Sequence, residues 1–384
     1  METTSTSSKL SSIPYLHPLG RFLKALPDCI SKWVTIPHSR HTNWNKSIRY
    51  LQASTGYFNA SPVLIEQNFP PNTTLSSITE ALRAAHSAYK KSISTDGQTA
   101  ILFVIQPNER NVFDQRNLEY ELLEKHSVAV HRRTFDQLRH DASVDPLSSA
   151  LLLQTTAGSK VEISTVYYRA GYTPTDYPSS AHYDIRHLLE RSLAIKCPSI
   201  ALQLAGSKKI QAVLAKPGVV ESFLLPNLSK GYVRPFTEED VKDLRASWVD
   251  MWGLEEPGGE TWARERYQEL VLKPQREGGG NNIYKANIPG FLDKLVEKEK
   301  EAWIAMELIK VPKGRENYLV RSGSEVVKCP TVSELGIFGW ALFGKGKESR
   351  YGEGGYLLRT KGAESDEGGV ATGFSVLDSV VLVD

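Results

Sequence analysis

Cysteine is scarce in this 384-residue chain, which holds Cys29, Cys197 and Cys329 and no other. Three thiols so widely spaced cannot build a disulfide framework, and no Cys-x-x-Cys pair or His-Glu-x-x-His spacing points to zinc. A reducing, cytoplasmic setting fits that usage. Long hydrophobic runs are missing as well. Nowhere do about 18 apolar residues follow one another, so no stretch is a candidate membrane-spanning helix. Neither sign of charge dominates, since 46 basic and 44 acidic side chains leave +2. Without a long Lys/Arg block, neither nucleic acid nor another polyanion is implied as a partner. Internal repeats are absent too, which excludes solenoid and propeller arrays.

What is present is the material of a globular protein: 40% apolar and 23% charged residues, in a chain long enough for two or three cores. Residues 1–49 are unassigned. Up to about residue 30 they are rich in Ser and Thr, carry Lys9, Arg21 and Lys24, and have no acid between Glu2 and Asp28. That composition suits either a transit peptide or a disordered leader. Residues 50–97 read as a helical segment, with Ile78, Leu82, Ala85 and Tyr89 at helical spacing over Leu75–Tyr89.

Residues 98–205 read as an α/β domain. The apolar run Ala100–Ile105 has strand length, a helical pattern with Leu118, Leu122 and Leu123 follows over Asp114–His126, and Ser127–Val130 reads as the next strand. Strand, helix and strand at this spacing predict a parallel crossover, and Val161–Tyr168 with a helix over His182–Ala194 predicts another. Ligands of such sheets gather beyond the carboxyl ends of the strands. Glu109-Arg110-Asn111 and Arg169-Ala170-Gly171-Tyr172 stand at two such ends. Beyond Gly206, glycine-rich loops at Gly278–Gly280, Gly352–Gly355 and Gly368–Gly369 alternate with short apolar runs, which suggests lid loops on a mainly β scaffold. The mixed-sign run Lys294–Glu301 reads as a solvated helix face.

The stretch with the most chemistry is Lys273-Pro274-Gln275-Arg276-Glu277-Gly278-Gly279-Gly280-Asn281-Asn282. A lysine is a point charge for phosphate, a glutamate is a hard oxygen ligand for Mg²⁺, and glycines let backbone N–H groups approach phosphates. A flexible glycine hairpin would use the same residues, and the Walker Gly-Lys-Ser/Thr ending is missing.

This decapeptide resembles the phosphate-binding loop of the eukaryotic glutathione synthetases, which are ATP-grasp ligases. Further matching segments follow in order: Glu109–Arg116, Gln203–Lys209, Ser333–Gly339, Leu357–Lys361 and Gly368–Ala371. The resemblance implies an ATP-grasp nucleotide region over residues 206–384 and a parallel-sheet substrate domain over 98–205. Implied ATP contacts are Lys208, the decapeptide itself, Tyr284, Met306, Glu307, Leu308, Ile309, Glu334, Lys361 and Glu367, with Glu277 as a Mg²⁺ ligand. Met306, Leu308 and Ile309 would also pack as strand core, and Glu334 and Glu367 could be plain surface acids.

For γ-glutamylcysteine the matching positions are Glu109, Arg110, Asn111, Gln115, Arg169, Ala170, Gly171, Tyr172, Arg359, Val370 and Ala371. Arg forks, an acid and amides suit a dipeptide with two carboxylates and one ammonium. Arg110 and Arg116 could instead pair with Asp114 or Glu119 at a helix start. The implied reaction joins γ-glutamylcysteine to glycine at the expense of ATP through an acyl phosphate, with Arg359 stabilising that intermediate, in a homodimer. Relatives carry an upstream Glu-x-Asn-Thr metal-binding motif with no counterpart here, so an amino-terminally truncated chain is expected. An ATP-binding fragment or dimerisation partner of a longer synthetase, an active variant with replacement metal ligands, and another ATP-grasp ligase acting on a related dipeptide are the other readings.

Overall fold

The computed structural model describes residues 68–93, 98–109, 112–225, 236–275, 281–311, 316–319, 326–344, 349–366 and 375–382. The decapeptide's Arg276–Gly280, together with Arg110, Asn111, Glu367, Val370 and Ala371, lies outside these residues, as does the leader. The chain divides into two compact units. The first runs to Gln203 and takes back Leu335–Leu358 and the residues after Asp378, while the second holds Leu204–Glu334 and Arg359–Asp378.

The first unit opens with α1 (Thr74–Ile93), followed by β1 (Thr99–Val104), α2 (Val112–His126) and β2 (Ala129–Arg133). After them come α3 (Phe135–Asp141), β3 (Ala142–Val144), β4 (Leu151–Gln154), β5 (Lys160–Tyr168), α4 (Ser180–Arg191), β6 (Ile195–Cys197) and α5 (Ile200–Ala205). The sheet order is β2-β1-β5-β4-β3, with β6 also on β5. Strands β2, β1, β5 and β6 are parallel, so their carboxyl ends open on one edge. Both predicted crossovers are therefore present.

Ala100–Val104 is apolar without interruption because helices cover both faces of β1. Alternation sends Ile101, Phe103 and Tyr167 towards Ile78, Leu82, Leu118 and Leu122, and sends Leu102, Val104, Val166 and Tyr168 towards Phe135, Leu138, Ile185 and Leu189. Helix α3 begins with a capping box, Thr134 and Gln137 each accepting from the other's backbone N–H. Such a cap contributes about 1 kcal/mol.

A buried polar pair sits under α1. The imidazole Nδ1 of His86 is 2.7 Å from Ser164 Oγ, whose hydroxyl donates to the Ala100 carbonyl. Burial, helped by the nearby Lys90 charge, lowers the His86 pKa from 6.5 to about 4. Between those two values the unfolded chain binds a proton that the folded chain does not. Stability is therefore whole above pH 6.5 and drains away as the pH falls towards 4, by about 3 kcal/mol for this group. Urea unfolding of wild type and His86→Gln at pH 7 and pH 4.5 isolates the effect, and the variant is expected to lose about 2–3 kcal/mol less than wild type on acidification.

In the second unit α6 (Lys208–Ala215), α7 (Val219–Leu224) and α8 (Glu238–Ala246) precede β7 (Met251–Gly253), α9 (Gly259–Glu265), β8 (Leu270–Pro274), β9 (Ile283–Tyr284), α10 (Asn287–Leu292), β10 (Trp303–Glu307) and β11 (Glu316–Leu319). The long strands β12 (Val327–Leu342) and β13 (Arg350–Gly362) and the short β14 (Ser375–Asp378) complete the chain. One sheet has the order β7-β10-β8-β9, all antiparallel, and another β11-β12-β13-β14.

This region is less β-rich than its glycine loops suggest. Its helices are six to nine residues long, too short to display a helical period in the sequence. The charge run at Lys294–Glu301 forms a 3₁₀ segment, Glu297–Ala302, in place of an α-helix face. Lys300 there is bound by Glu260, 2.7 Å away, and by Glu297. Among the described residues no helix is long and apolar enough to cross a membrane.

Candidate functional site

Strand pairing sorts the side chains of the β7-β10-β8-β9 sheet. Leu270, Leu272, Trp303 and Ala305 turn to the core with Trp252 and Ile283. Residues directly opposite in a ladder share a face, so Lys273 (opposite Ile304), Val271 (opposite Met306 and Tyr284) and Met251 occupy the other side. Lys273, Tyr284 and Met306, three of the predicted nucleotide contacts, thus lie on one non-core face.

Helix α6 packs beside β7 and β10. Its first turn is capped by Ser207 and tied to the end of β8, where Gln275 Oε1 accepts from the Lys209 N–H at 3.1 Å. Gln275 therefore links the two lysine-bearing segments, Lys208 on α6 and Lys273 on β8. Asn282 Nδ2 donates to the Tyr284 hydroxyl at 3.0 Å.

Other predicted residues are placed differently. Glu307 belongs to the core-side register of β10, and its carboxylate is held by Arg266. Any nucleotide contact at Glu307 would be made by its backbone. The Leu308 N–H donates to the Glu269 carbonyl at 2.8 Å, and Ile309 stands exposed past the strand end. Arg359 grips both oxygens of Glu334, at 2.5 and 2.6 Å, so two predicted site residues occupy each other. Lys361, two residues on and on the same face of β13, donates to the Asp366 carbonyl, and the Asp366 carboxylate is 3.1 Å from Lys285 next to Tyr284.

In the first unit the predicted dipeptide residues gather at the carboxyl ends of β1 and β5. Gln115, fully buried, donates to Glu109 at 3.1 Å. Arg169 is 3% exposed, and its Nε has no hydrogen-bond partner among the described residues. Burial works against its charge, yet the Tyr167 hydroxyl and the carboxylates of Asp114 and Glu109 hold its pKa above the usual guanidinium range. Burial likewise raises the Tyr172 pKa, with Asp176 adding to it, and both Arg169 and Glu109 act on the same phenol. Glu109, Gln115, Arg169 and Tyr172 therefore form one electrostatic cluster. Ala170 points into the apolar core and Arg116 pairs with Glu119 at 2.9 Å. Glu277, the predicted metal ligand, lies outside the described residues, among which no three His, Cys, Asp or Glu side chains come together.

The model of the eukaryotic glutathione synthase ATP-binding domain matches residues 38–382. The chain belongs to that family. It is 41% identical over 317 residues to the chloroplastic glutathione synthetase of Solanum lycopersicum, covering 82% of this chain and 54% of that one. With the human glutathione synthetase it shares 41% over 286 residues, 73% of this chain and 56% of the other. With the large chain of the Schizosaccharomyces pombe enzyme it shares 38% over 328 residues, 81% and 62%. The chain thus spans roughly half to three fifths of the length of these relatives. An apo glutathione synthetase-like effector from Globodera pallida shares the fold, with a TM-score of 0.65 at 19% identity over 92% of this chain and 70% of that one. That likeness is one of fold alone.

Phe135, Tyr177 and Asp176, which the family motifs do not flag, surround Gly171 of the predicted dipeptide run. Gly171 sits at φ +92°, where a Cβ would come within 2.8 Å of the Tyr177 hydroxyl and 3.1 Å of the Phe135 ring. Its carbonyl accepts from Tyr177 at 2.8 Å and from Gln203 at 2.7 Å. Asp176 binds the loop from within. The signal for it was the Thr-x-x-Asp pattern Thr173–Asp176, a capping box that the structure forms.

Proposed function

We propose that this chain performs the ATP-dependent ligation of γ-L-glutamyl-L-cysteine with glycine, giving glutathione, ADP and phosphate through an acyl phosphate. What carries the reading is membership of the glutathione synthase family over residues 38–382 together with the common face shared by Lys273, Tyr284 and Met306. Lys208 and Lys273 would offset the charge of the ATP phosphates, as point-charge ammonium groups do. Glu109, Gln115 and Arg169–Tyr172 would hold the dipeptide's carboxylates and ammonium. Arg359, once it exchanges Glu334 for the ligand, would stabilise charge developing on the acyl phosphate.

Mg²⁺ is proposed from the resemblance at Glu277, and when bound it would neutralise phosphate charge. Among the described residues no three His, Cys, Asp or Glu side chains are grouped so as to hold such an ion. A homodimer is likewise proposed from the resemblance, and a cytoplasmic location from the thiol usage.

The test uses the whole 384-residue chain. ADP release is measured with γ-glutamylcysteine and glycine, β-alanine or no acceptor. Release that requires the dipeptide and is fastest with glycine is expected. Binding of ATP with no release above the substrate-free control would overturn the ligase reading and favour an ATP-binding partner of a longer synthetase.

A further inference from the structure

We infer that Asp176 is the positioning residue of the dipeptide-binding run, a role that rests on the dipeptide reading of Arg169–Tyr172. One carboxylate oxygen, Oδ2, accepts the backbone N–H groups of Gly171 at 2.9 Å, Tyr172 at 3.2 Å and Thr173 at 3.2 Å, and the Thr173 hydroxyl at 3.1 Å. Three successive N–H groups turned to one point make an anion-binding nest. In this chain the nest is filled by the protein's own acid.

The other oxygen reaches a different strand end. Gln106, two residues beyond β1, donates its Nε2–H to Asp176 Oδ1 at 3.3 Å and lies at the same distance from the Tyr172 hydroxyl. Asp176 thereby couples the segment leading to Glu109 with the segment that carries Arg169 and Tyr172. Both segments must keep a fixed spacing if Glu109, Arg169 and Tyr172 are to meet one ligand.

Cheaper ways of holding a loop exist, and they indicate what this one is for. Gly171 at φ +92° already sets the turn, and Tyr177 and Gln203 already hold its carbonyl. What Asp176 adds is the orientation of three consecutive peptide planes, and therefore the direction in which Tyr172 leaves the backbone. An amide at this position would offer a weaker neutral oxygen to the nest, and its NH₂ could face the NH₂ of Gln106. Removing the charge should loosen the run without emptying any core, because Asp176 belongs to none of the apolar clusters and its partners in these bonds are polar groups.

The experiment compares wild type with Asp176→Asn and Gln106→Leu, all as the full chain. Calorimetry gives affinities for γ-glutamylcysteine, with and without a non-hydrolysable ATP analogue, and for ATP itself. Amide hydrogen exchange reports on residues 171–173. The expected result for Asp176→Asn is dipeptide affinity weakened about 10- to 100-fold, ATP affinity within about twofold of wild type, and faster exchange at Gly171, Tyr172 and Thr173. Gln106→Leu should show the same pattern at about 3- to 10-fold, which keeps the test decisive if the first variant does not fold. Unchanged dipeptide affinity in the folded variants overturns the positioning role. Parallel losses of dipeptide affinity, ATP affinity and thermal stability also overturn it, because they describe a general structural role. Wild type that binds ATP but no dipeptide overturns the underlying reading of the run, and the role of Asp176 falls with it.

Discussion

Gly355→Ala is expected to destabilise the first unit by about 3 kcal/mol, lowering the Tm of the transition that this unit governs by about 6–12 °C. Two separate effects combine. At φ +84° an L-residue meets the left-handed region, which costs about 1–2 kcal/mol. The added methyl would also lie 2.8 Å from both the Cα and the N of Thr74, and closer still to its Oγ1. A flexible side chain could step aside, but the backbone at the start of α1 cannot. Thr74 is fully buried, and its N–H and hydroxyl both donate to Asn72 Oδ1. The neighbouring bonds make the segment rigid: Asn72 Nδ2 donates to the Tyr356 carbonyl at 2.9 Å and the Tyr356 hydroxyl donates to the Pro70 carbonyl at 2.7 Å. Two controls separate the causes. Gly218→Ala meets open space at φ +80° and should show the backbone strain alone, near 1–2 kcal/mol. Gly290→Ala, inside α10 with nothing within 4 Å, should be neutral or stabilising by about 0.5–1 kcal/mol. Thermal unfolding of the three variants checks all of this, and equal Tm values for Gly355→Ala and Gly290→Ala would refute the steric account.

The same position illustrates what the sequence conveys and what it withholds. Helix α1 was legible because its apolar residues repeat with a clear period over 20 residues, and the first crossover because β1 is a continuous apolar strand covered on both sides. The return of Leu335–Leu358 to the first unit was not legible. It depends on Trp340 and Leu342 reaching the cluster around Ile78 and Leu82, about 260 residues away in the chain, and no local pattern encodes such a pairing. At the candidate sites, residue chemistry pointed to Lys273, and the family resemblance to Arg169 and Gln115. Orientation could be read only from ladder register, which puts Glu307 on the core side and Met306 on the other. Arg116 takes the helix-start pairing that residue type alone had offered it, with Glu119 three residues on along α2.

Replacing Lys273 by Met should weaken ATP affinity about 10- to 100-fold, the equivalent of one lost charge-assisted contact, and lower ADP release by at least as much. The structure favours this substitution over others because β8 can tolerate it. Leu272 and Pro274 flank the position and are buried on the core side, and the ladder to Ile304 is made by the backbone. Methionine keeps the unbranched stem and the strand hydrogen bonds, so thermal stability should stay within about 1 kcal/mol of wild type. Lys273→Arg serves as the second arm. A planar fork does not reproduce a compact ammonium at a phosphate, so restoring the charge should recover only part of the affinity. Dipeptide affinity should be unaffected in both variants, since Glu109, Gln115 and Arg169 belong to the other unit. If Lys273→Met binds ATP as tightly as wild type while folding normally, the non-core face of the β7-β10-β8-β9 sheet is not where the phosphates lie, and Lys208 would have to hold them without it.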